Sequence, residues 1–220
     1  MGALPRTIVY IDGFNLYYGV FKDQRCARYK WLDFDQYFRA LIPNANIVAI
    51  KYFSALIDPN CTTRKGKRQA TYWDALGTLT LTQIIPGRFK TKSVSCEFRA
   101  CPLGAGPRIF QVPEEKRTDV NIALEILDDV QRGLSDDVVL VSGDSDLAPA
   151  LQKVRSSFPK VRIALYVPAA FNPIRGKAAE LRALAHKDRN FDTALLSRSQ
   201  FPNPVLKADG TQIDKPLAWA

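Results

Sequence analysis

Short apolar runs rich in β-branched and aromatic residues, alternating with stretches of helical period, constrain this chain more than any other feature. Thr7-Ile8-Val9-Tyr10-Ile11, Ile47 to Leu56, Val138-Val139-Leu140-Val141 and Val161 to Val167 are largely apolar throughout. That pattern marks strands covered on two faces, as in a parallel sheet. Phe34 to Leu41 predicts a helix that stops before Pro43, because a residue preceding proline is pushed out of the helical region. Strands alternating with helices predict an α/β fold whose mostly parallel sheet is covered on both faces. Ligands of such sheets bind beyond the carboxyl ends of the strands.

The rest of the chain fits this frame. Phe14-Asn15-Leu16-Tyr17-Tyr18 begins a helix after the first strand, and Gln69 to Leu76 puts Tyr72, Ala75 and Leu76 on one helical face. Ile84-Ile85 with Arg88-Phe89-Lys90 fits a third strand, and the stretch from Ser93 to Pro113, with several Gly and Pro, predicts an inserted hairpin. From Lys116 to Gln131 the positions Val120, Ala123, Leu124, Leu127 and Val130 recur at helical spacing, with Thr118 or Asp119 placed as the cap. Leu147 to Val154 returns as a helix, Ala194-Leu195-Leu196 marks a short element, and a tail over 198–220 turns at Asp209-Gly210. The length of 220 residues suits one domain.

Composition narrows the function. The 31 Lys and Arg exceed the 22 Asp and Glu, giving a net charge of +9, and such an excess favours polyanionic partners because bound phosphates release counterions. A solvated basic face accounts for the charge equally well. No apolar run approaches the ~20 residues of a membrane helix, and Met1 to Arg6 carries no secretory signal, so a cytoplasmic chain is expected. Of Cys26, Cys61, Cys96 and Cys101 only the last two are close in sequence, at a spacing that fits no strong zinc signature; reduced thiols are expected. His186 is the single histidine, which excludes cleavage by paired acid and base imidazoles. Neither G-x-G-x-x-G nor G-K-[ST] follows a strand, which sets dinucleotide and P-loop chemistry aside.

The acidic residues are placed more tellingly. Asp12 follows the first strand, Asp119 opens the long helix, and Asp144 and Asp146 follow the strand at Val138–Val141. A sheet of this kind can bring them to one edge. Each also has a structural role open to it, Asp119 as a helix cap and Asp144 or Asp146 as caps of the turn. Two carboxylates about 4 Å apart repel by ~4 kcal/mol at an effective dielectric of 20, so a cluster calls for a cation or for protons. Magnesium takes oxygen ligands, keeps several waters and needs no histidine, which matches this inventory.

Three segments, Ile11-Asp12-Gly13-Phe14-Asn15-Leu16, Lys116-Arg117-Thr118-Asp119-Val120 and Val141-Ser142-Gly143-Asp144-Ser145-Asp146-Leu147, resemble in order and separation the motifs of NYN domains, including the LabA-like group. The resemblance runs from Thr7 to about Val167. It implies a PIN-like three-layer α/β/α sandwich and a metal-dependent ribonuclease with Mg2+ or Mn2+ held by Asp12, Asp119 and Asp144. It further implies that Asp146 is another ligand or holds waters, and that Asn15 orients Asp12 or touches a phosphate.

RNA, single-stranded rather than duplex, is the expected substrate, and self-association into a homodimer is left open. Arg64, Lys65, Lys67 and Arg68 form the densest basic run, with Tyr72 and Trp73 close behind, a pairing suited to phosphate contacts and base stacking. The same two aromatics serve equally well as core residues. Lys116 and Arg117 precede Asp119 and are candidates to hold a phosphate, or Arg117 pairs with Glu114 or Glu115. The alternative function is a non-catalytic RNA-binding or regulatory module on the same fold.

Overall fold

A computed structural model describes residues 4–95, 109–169 and 178–219. The chain opens with β1 (Arg6–Asp12), passes through the short α1 (Gly13–Leu16) into a π-helical turn over Tyr17–Phe21, and continues through α2 (Phe34–Leu41), β2 (Asn46–Ser54), α3 (Arg64–Leu76) and β3 (Thr82–Pro86). β4 (Arg88–Ser95) and β5 (Ile109–Lys116) form an antiparallel hairpin outside the main sheet. Then come α4 (Thr118–Gln131), β6 (Asp137–Val141), α5 (Ala148–Ser157), β7 (Arg162–Val167), α6 (Ala179–Leu184) and β8 (Lys187–Asn190), and finally the small antiparallel pair β9 (Val205–Leu206) and β10 (Gln212–Ile213).

Among the described residues the main sheet has six strands, all parallel, in the order β3-β2-β1-β6-β7-β8. The chain builds outward from β1 through β2 and β3, then crosses to the other side of β1 to lay down β6. The carboxyl ends of β1 and β6 are therefore neighbours at the point where strand order reverses, the usual place for a ligand crevice. Ile11 stands in register with Val141 across this pair.

The strand period of two sorts side chains to opposite faces. Val9, Ile11, Ile50, Tyr52, Val139 and Val141 pack with α1, α2, α3 and the segment after Phe191, whereas Ile8, Tyr10, Val138, Leu140 and Leu165 pack against α4, α5 and α6. The result is the expected three-layer sandwich. Trp31, Phe34, Tyr37 and Phe38 are fully buried on the first face, and a side chain of that size contributes about 2–3 kcal/mol when taken out of water. Among the described residues no helix is long and apolar enough to cross a membrane.

Several sequence-based expectations are corrected. The third strand is Thr82–Pro86 alone; Arg88-Phe89-Lys90 belongs to the hairpin, whose arms reach from Arg88 to Lys116, well beyond the expected 93–113. Cys96 and Cys101 lie outside the described residues, while Cys26 and Cys61 are free thiols. α3 begins at Arg64, not Gln69, because the Thr63 hydroxyl caps it by accepting from Gly66 N at 3.0 Å. α6 and the polar edge strand β8 went unread, since neither carries a run of apolar residues. His186 is occupied in fixing that edge: its Nδ1 accepts from Ile163 N at 3.0 Å.

α4 departs furthest from expectation. Lys116 ends β5, and the cap position falls on Arg117, in the left-handed region at φ 82, so neither Thr118 nor Asp119 caps the helix. The inward stripe is Ile122, Ile126 and Val130, while Val120 and Leu124 are exposed. This helix is apolar on two sides, and a buried ion pair decides between them. Lys51 on β2 lies beneath α4 and reaches Asp129 and Glu125, each at 2.6 Å, while the Tyr10 hydroxyl donates to Asp129 at 2.8 Å. Burial, the largest influence on Lys51, pushes its pKa down, yet hydrogen bonds and charge from Asp129 and Glu125 lift it above its ordinary value. Lys51 thus stays charged and draws Asp129 inward.

Candidate functional site

The site is built around Asp12, the last residue of β1 and almost wholly buried. Its Oδ1 accepts from Asn15 N at 2.9 Å; its Oδ2 accepts from Asn15 Nδ2 at 2.7 Å and from the Ser142 hydroxyl at 2.9 Å. Asn15 is fixed in turn, its Oδ1 accepting from Gly143 N at 3.2 Å. The loop after β6 and the helix after β1 are thereby locked to one carboxylate. Of the two roles expected of Asn15, orienting Asp12 is the one the geometry displays.

Asp144 follows one turn along that loop. Its backbone N donates to Ser142 Oγ at 3.1 Å, and its Oδ1 accepts from Asp146 N at 3.0 Å, capping the 3-10 turn Ser145–Leu147. Asp146 is exposed beside it. Asp119 lies in the first turn of α4, half-buried.

The electrostatics tie these positions together. Burial raises Asp119 to about 6, with further upward pushes from Asp12, Asp144 and Asp146. Burial also raises Asp12, opposed by its hydrogen bonds from Asn15 and Ser142 and reinforced by the charge of Asp144. The four aspartates named from sequence therefore share one field. They converge because β1 and β6 are adjacent and α4 starts at the same edge of the sheet.

Glu115 is the member that sequence reasoning missed. Burial, then the charges of Asp12 and Asp119, raise it to about 8. Three residues before Thr118, it read as an ion-pair partner for Arg117, because nothing in the sequence revealed that β5 would deliver it to the cluster. The Thr118 hydroxyl donates to its Oε1. Gly87 makes the approach feasible, since a Cβ there would stand 2.6 Å from Thr118 Oγ1 and 3.4 Å from Glu115 Oε1.

Among the described residues no group of three or more His, Cys, Asp or Glu side chains is gathered closely enough to hold a metal ion as it stands. Asp12 and Asp144 are each turned onto local hydrogen bonds, and like charges keep carboxylates apart. The donor set nevertheless suits a hard divalent cation: every group is an oxygen donor, and after burial the neighbouring carboxylates push Asp119 and Glu115 further up. A magnesium-type ion needs only one or two carboxylates beside its waters.

The basic candidates divide. Lys116 is on β5 and pairs with Glu114 at 2.9 Å, while Arg117 is exposed and, among the described residues, has no ion pair with Glu114 or Glu115. Arg64, Lys65 and Arg68 sit in the first two turns of α3. Lys65 and Arg68 line a cavity of about 250 Å³ whose other walls include Gly13, Tyr52 and Ser54; Arg64 points elsewhere on the exposed helix surface. Tyr72 is buried, its hydroxyl donating to Leu32 O at 2.8 Å, yet its ring lines the same cavity. Trp73 packs against the core and is not part of that wall.

Comparison with known proteins places this arrangement. A model of the NYN domain matches residues 6–187. The chain is 32% identical to 6-hydroxy-3-succinoylpyridine 3-monooxygenase HspA of Pseudomonas putida, over 97% of this chain and 75% of that protein. In structure it is similar to a Vibrio parahaemolyticus protein of unknown function, with a TM-score of 0.53 at 17% identity, covering 88% of this chain and 98% of that one. The last likeness concerns the fold alone.

Proposed function

Since the chain belongs to the NYN domain family, a group of PIN-like nucleases, we propose that it hydrolyses phosphodiester bonds of single-stranded RNA at the carboxylates gathered around Asp12. The observation that carries this reading is the meeting of Asp12, Asp119 and Asp144 at the adjoining ends of β1 and β6 and the start of α4, where burial first and the neighbouring carboxylates second raise Asp119 to about 6 and Glu115 to about 8. Carboxylates perturbed by burial and by one another at the ends of strands are candidates for chemistry.

Asp12, Asp119 and Asp144 would hold Mg2+ or Mn2+, and a bound ion supplies an activated water and neutralises charge on the phosphoryl oxygens. The protein's own part is positioning. Asn15 and Ser142 fix both oxygens of Asp12, so that its orientation is set before substrate arrives. Asp146, exposed at the rim, is suited to holding waters. Glu115 keeps its proton at neutral pH while the cluster lacks a counter-charge and releases it when positive charge enters. Lys65 and Arg68, which line the cavity with Gly13 and Tyr52, would hold a phosphate of the strand.

The test is a cleavage assay on defined RNA and DNA strands with magnesium, manganese or chelator, comparing the purified chain with Asp144→Asn. Metal-dependent cleavage of single-stranded RNA that the variant lacks is the expected result. Binding without turnover under every condition would make the chain a non-catalytic RNA-binding module, and cleavage undiminished in the variant would remove the aspartates from the chemistry.

A second reading rests on a specific observation. The relative from Pseudomonas putida is named for hydroxylating a heteroaromatic acid, and the cavity beside Asp12 is lined by aromatic rings and cations. On this reading the chain hydroxylates a small heteroaromatic acid. Product analysis after incubation with hydroxypyridine acids, a reductant and oxygen separates it from the first.

A further inference from the structure

The cavity next to Asp12 carries more information than an RNA-facing groove requires. Its volume, about 250 Å³, falls just under the roughly 300–1,000 Å³ of typical small-molecule sites, so it admits one ring with its substituent and not a length of strand. Phe14, Phe34, Tyr52, Tyr72 and Trp219 present aromatic surface to it. Tyr72 holds this wall rigid, its ring centroid 6.3 Å from Phe34 and 6.0 Å from Trp219.

The polar side of the cavity is all of one sign. Lys30, Lys65 and Arg68 line it, and among the described residues none of the three takes part in an ion pair. Burial, followed by the charge of Arg68, lowers the pKa of Lys30, whose Nζ lies 5.3 Å from the Tyr17 ring centroid, and no acid is among the lining residues. Gln69, the neutral polar neighbour, is already engaged: its Nε2 donates to Ala55 O and its Oε1 accepts from Ile57 N, both at 2.8 Å. A planar ring satisfies the aromatic wall and an anion satisfies the cations.

The cavity nears the carboxylates at Tyr52, whose pKa burial raises most and the charges of Asp12 and Glu115 raise further. Gly13 follows Asp12 directly, and a Cβ at Gly13 would come within 2.8 Å of the Tyr52 ring. We infer that this cavity is a binding site for one planar heteroaromatic ring bearing an anionic group, with the ring against Tyr52 and Tyr72 and the anion against Lys30, Lys65 and Arg68, so that the ligand is presented to the Asp12 cluster. A nucleotide of an RNA strand and a free heteroaromatic acid share this chemistry. The inference deepens the phosphodiesterase reading in its nucleotide form but requires no turnover.

Calorimetric titration of the full chain in chelator tests it, with uridine 5′-monophosphate, uridine, inorganic phosphate, nicotinate and a short uridine oligonucleotide as probes. Ring and anion together should bind at least about tenfold more tightly than uridine or phosphate alone. Lys65→Gln with Arg68→Gln should lower affinity for the monophosphate about tenfold while leaving the weak affinity for uridine in place. Ile57→Trp, at an exposed residue on the cavity wall, should abolish both. Preference for the monophosphate and oligonucleotide identifies a strand as the source of the ring, and preference for nicotinate identifies a free acid. Phosphate binding as tightly as the monophosphate, or monophosphate binding that survives Ile57→Trp, overturns the inference. Because binding is read in chelator, a chain that binds the ring but never cleaves RNA refutes only the nuclease reading, and one that cleaves without such binding refutes only this one.

Discussion

Replacing Glu115 with glutamine should stabilise the protein above about pH 4.5, and most above pH 8. The folded chain holds this carboxyl's pKa at about 8, against an ordinary 4.5. Below pH 4.5 both folded and unfolded chains carry the proton and nothing is at stake. Between 4.5 and 8 the folded chain keeps a proton that the unfolded chain has lost, so stability falls as pH rises, by about 1.4 kcal/mol for each pH unit. Above 8 the whole cost is present. Its ceiling is roughly 5 kcal/mol, which water reaching the half-buried group reduces to about 2–3 kcal/mol. Glutamine keeps an acceptor for the Thr118 hydroxyl and cannot ionise. Urea and thermal unfolding of both proteins in chelator should therefore coincide at pH 4.5 and diverge by roughly 5–10 °C at pH 8.5. A difference that does not vary with pH, or a variant less stable at pH 8.5, would refute the argument that burial, with the charges of Asp12 and Asp119, burdens the ionised Glu115.

Two further outcomes follow from the same structure. Millimolar Mn2+ or Mg2+ should raise the melting temperature of the unaltered chain at pH 8 by several degrees, as expected for ~2–3 kcal/mol at a concentration near 100 Kd, and much less at pH 5, where Asp119 and Glu115 are protonated; scanning calorimetry of Asp144→Asn should lose most of the effect, and an equal rise in the variant would count against that ligand. Lys51→Met should cost about 3–5 kcal/mol, because it leaves Asp129 buried without its cation. Lys51→Met combined with Asp129→Leu should recover more than half of that in urea titrations, and a double variant no better than the single one would show that the pair is not the reason.

The sheet was legible because its central strands are nearly continuous apolar runs, as burial on two faces demands, and because β1 and β6 end in the Asp12 and Asp144 motifs. Four aspartates could be named for the same reason: strand ends and a helix start are positions that sequence alone locates. What escaped was set by tertiary partners. The inward face of α4 is chosen by Lys51 reaching Asp129, a contact between residues 78 apart in the chain, and no local period encodes it. Glu115 joins the cluster because the hairpin delivers it there, and Tyr72 proves to be both core residue and cavity wall. The basic run Arg64 to Arg68 looked uniform in sequence, yet helical spacing puts Lys65 and Arg68 into the cavity and leaves Arg64 in solvent.

The aromatic layer on one side of the sheet is stitched shut by the chain's distant parts. Phe201 N donates to Trp31 O at 3.0 Å, Asp33 N donates to Ser199 O at 2.9 Å, and the Trp31 indole donates to Pro202 O at 3.2 Å. A ribosome must therefore synthesise some 170 further residues before Trp31 finds its cover, and until then that large apolar surface faces the cell. Contacts so remote in sequence slow folding and prolong exposure. The opposite layer also closes late, since Ile8 and Tyr10 of β1 pack there against α4, α5 and α6, so neither face is complete until most of the chain has been made.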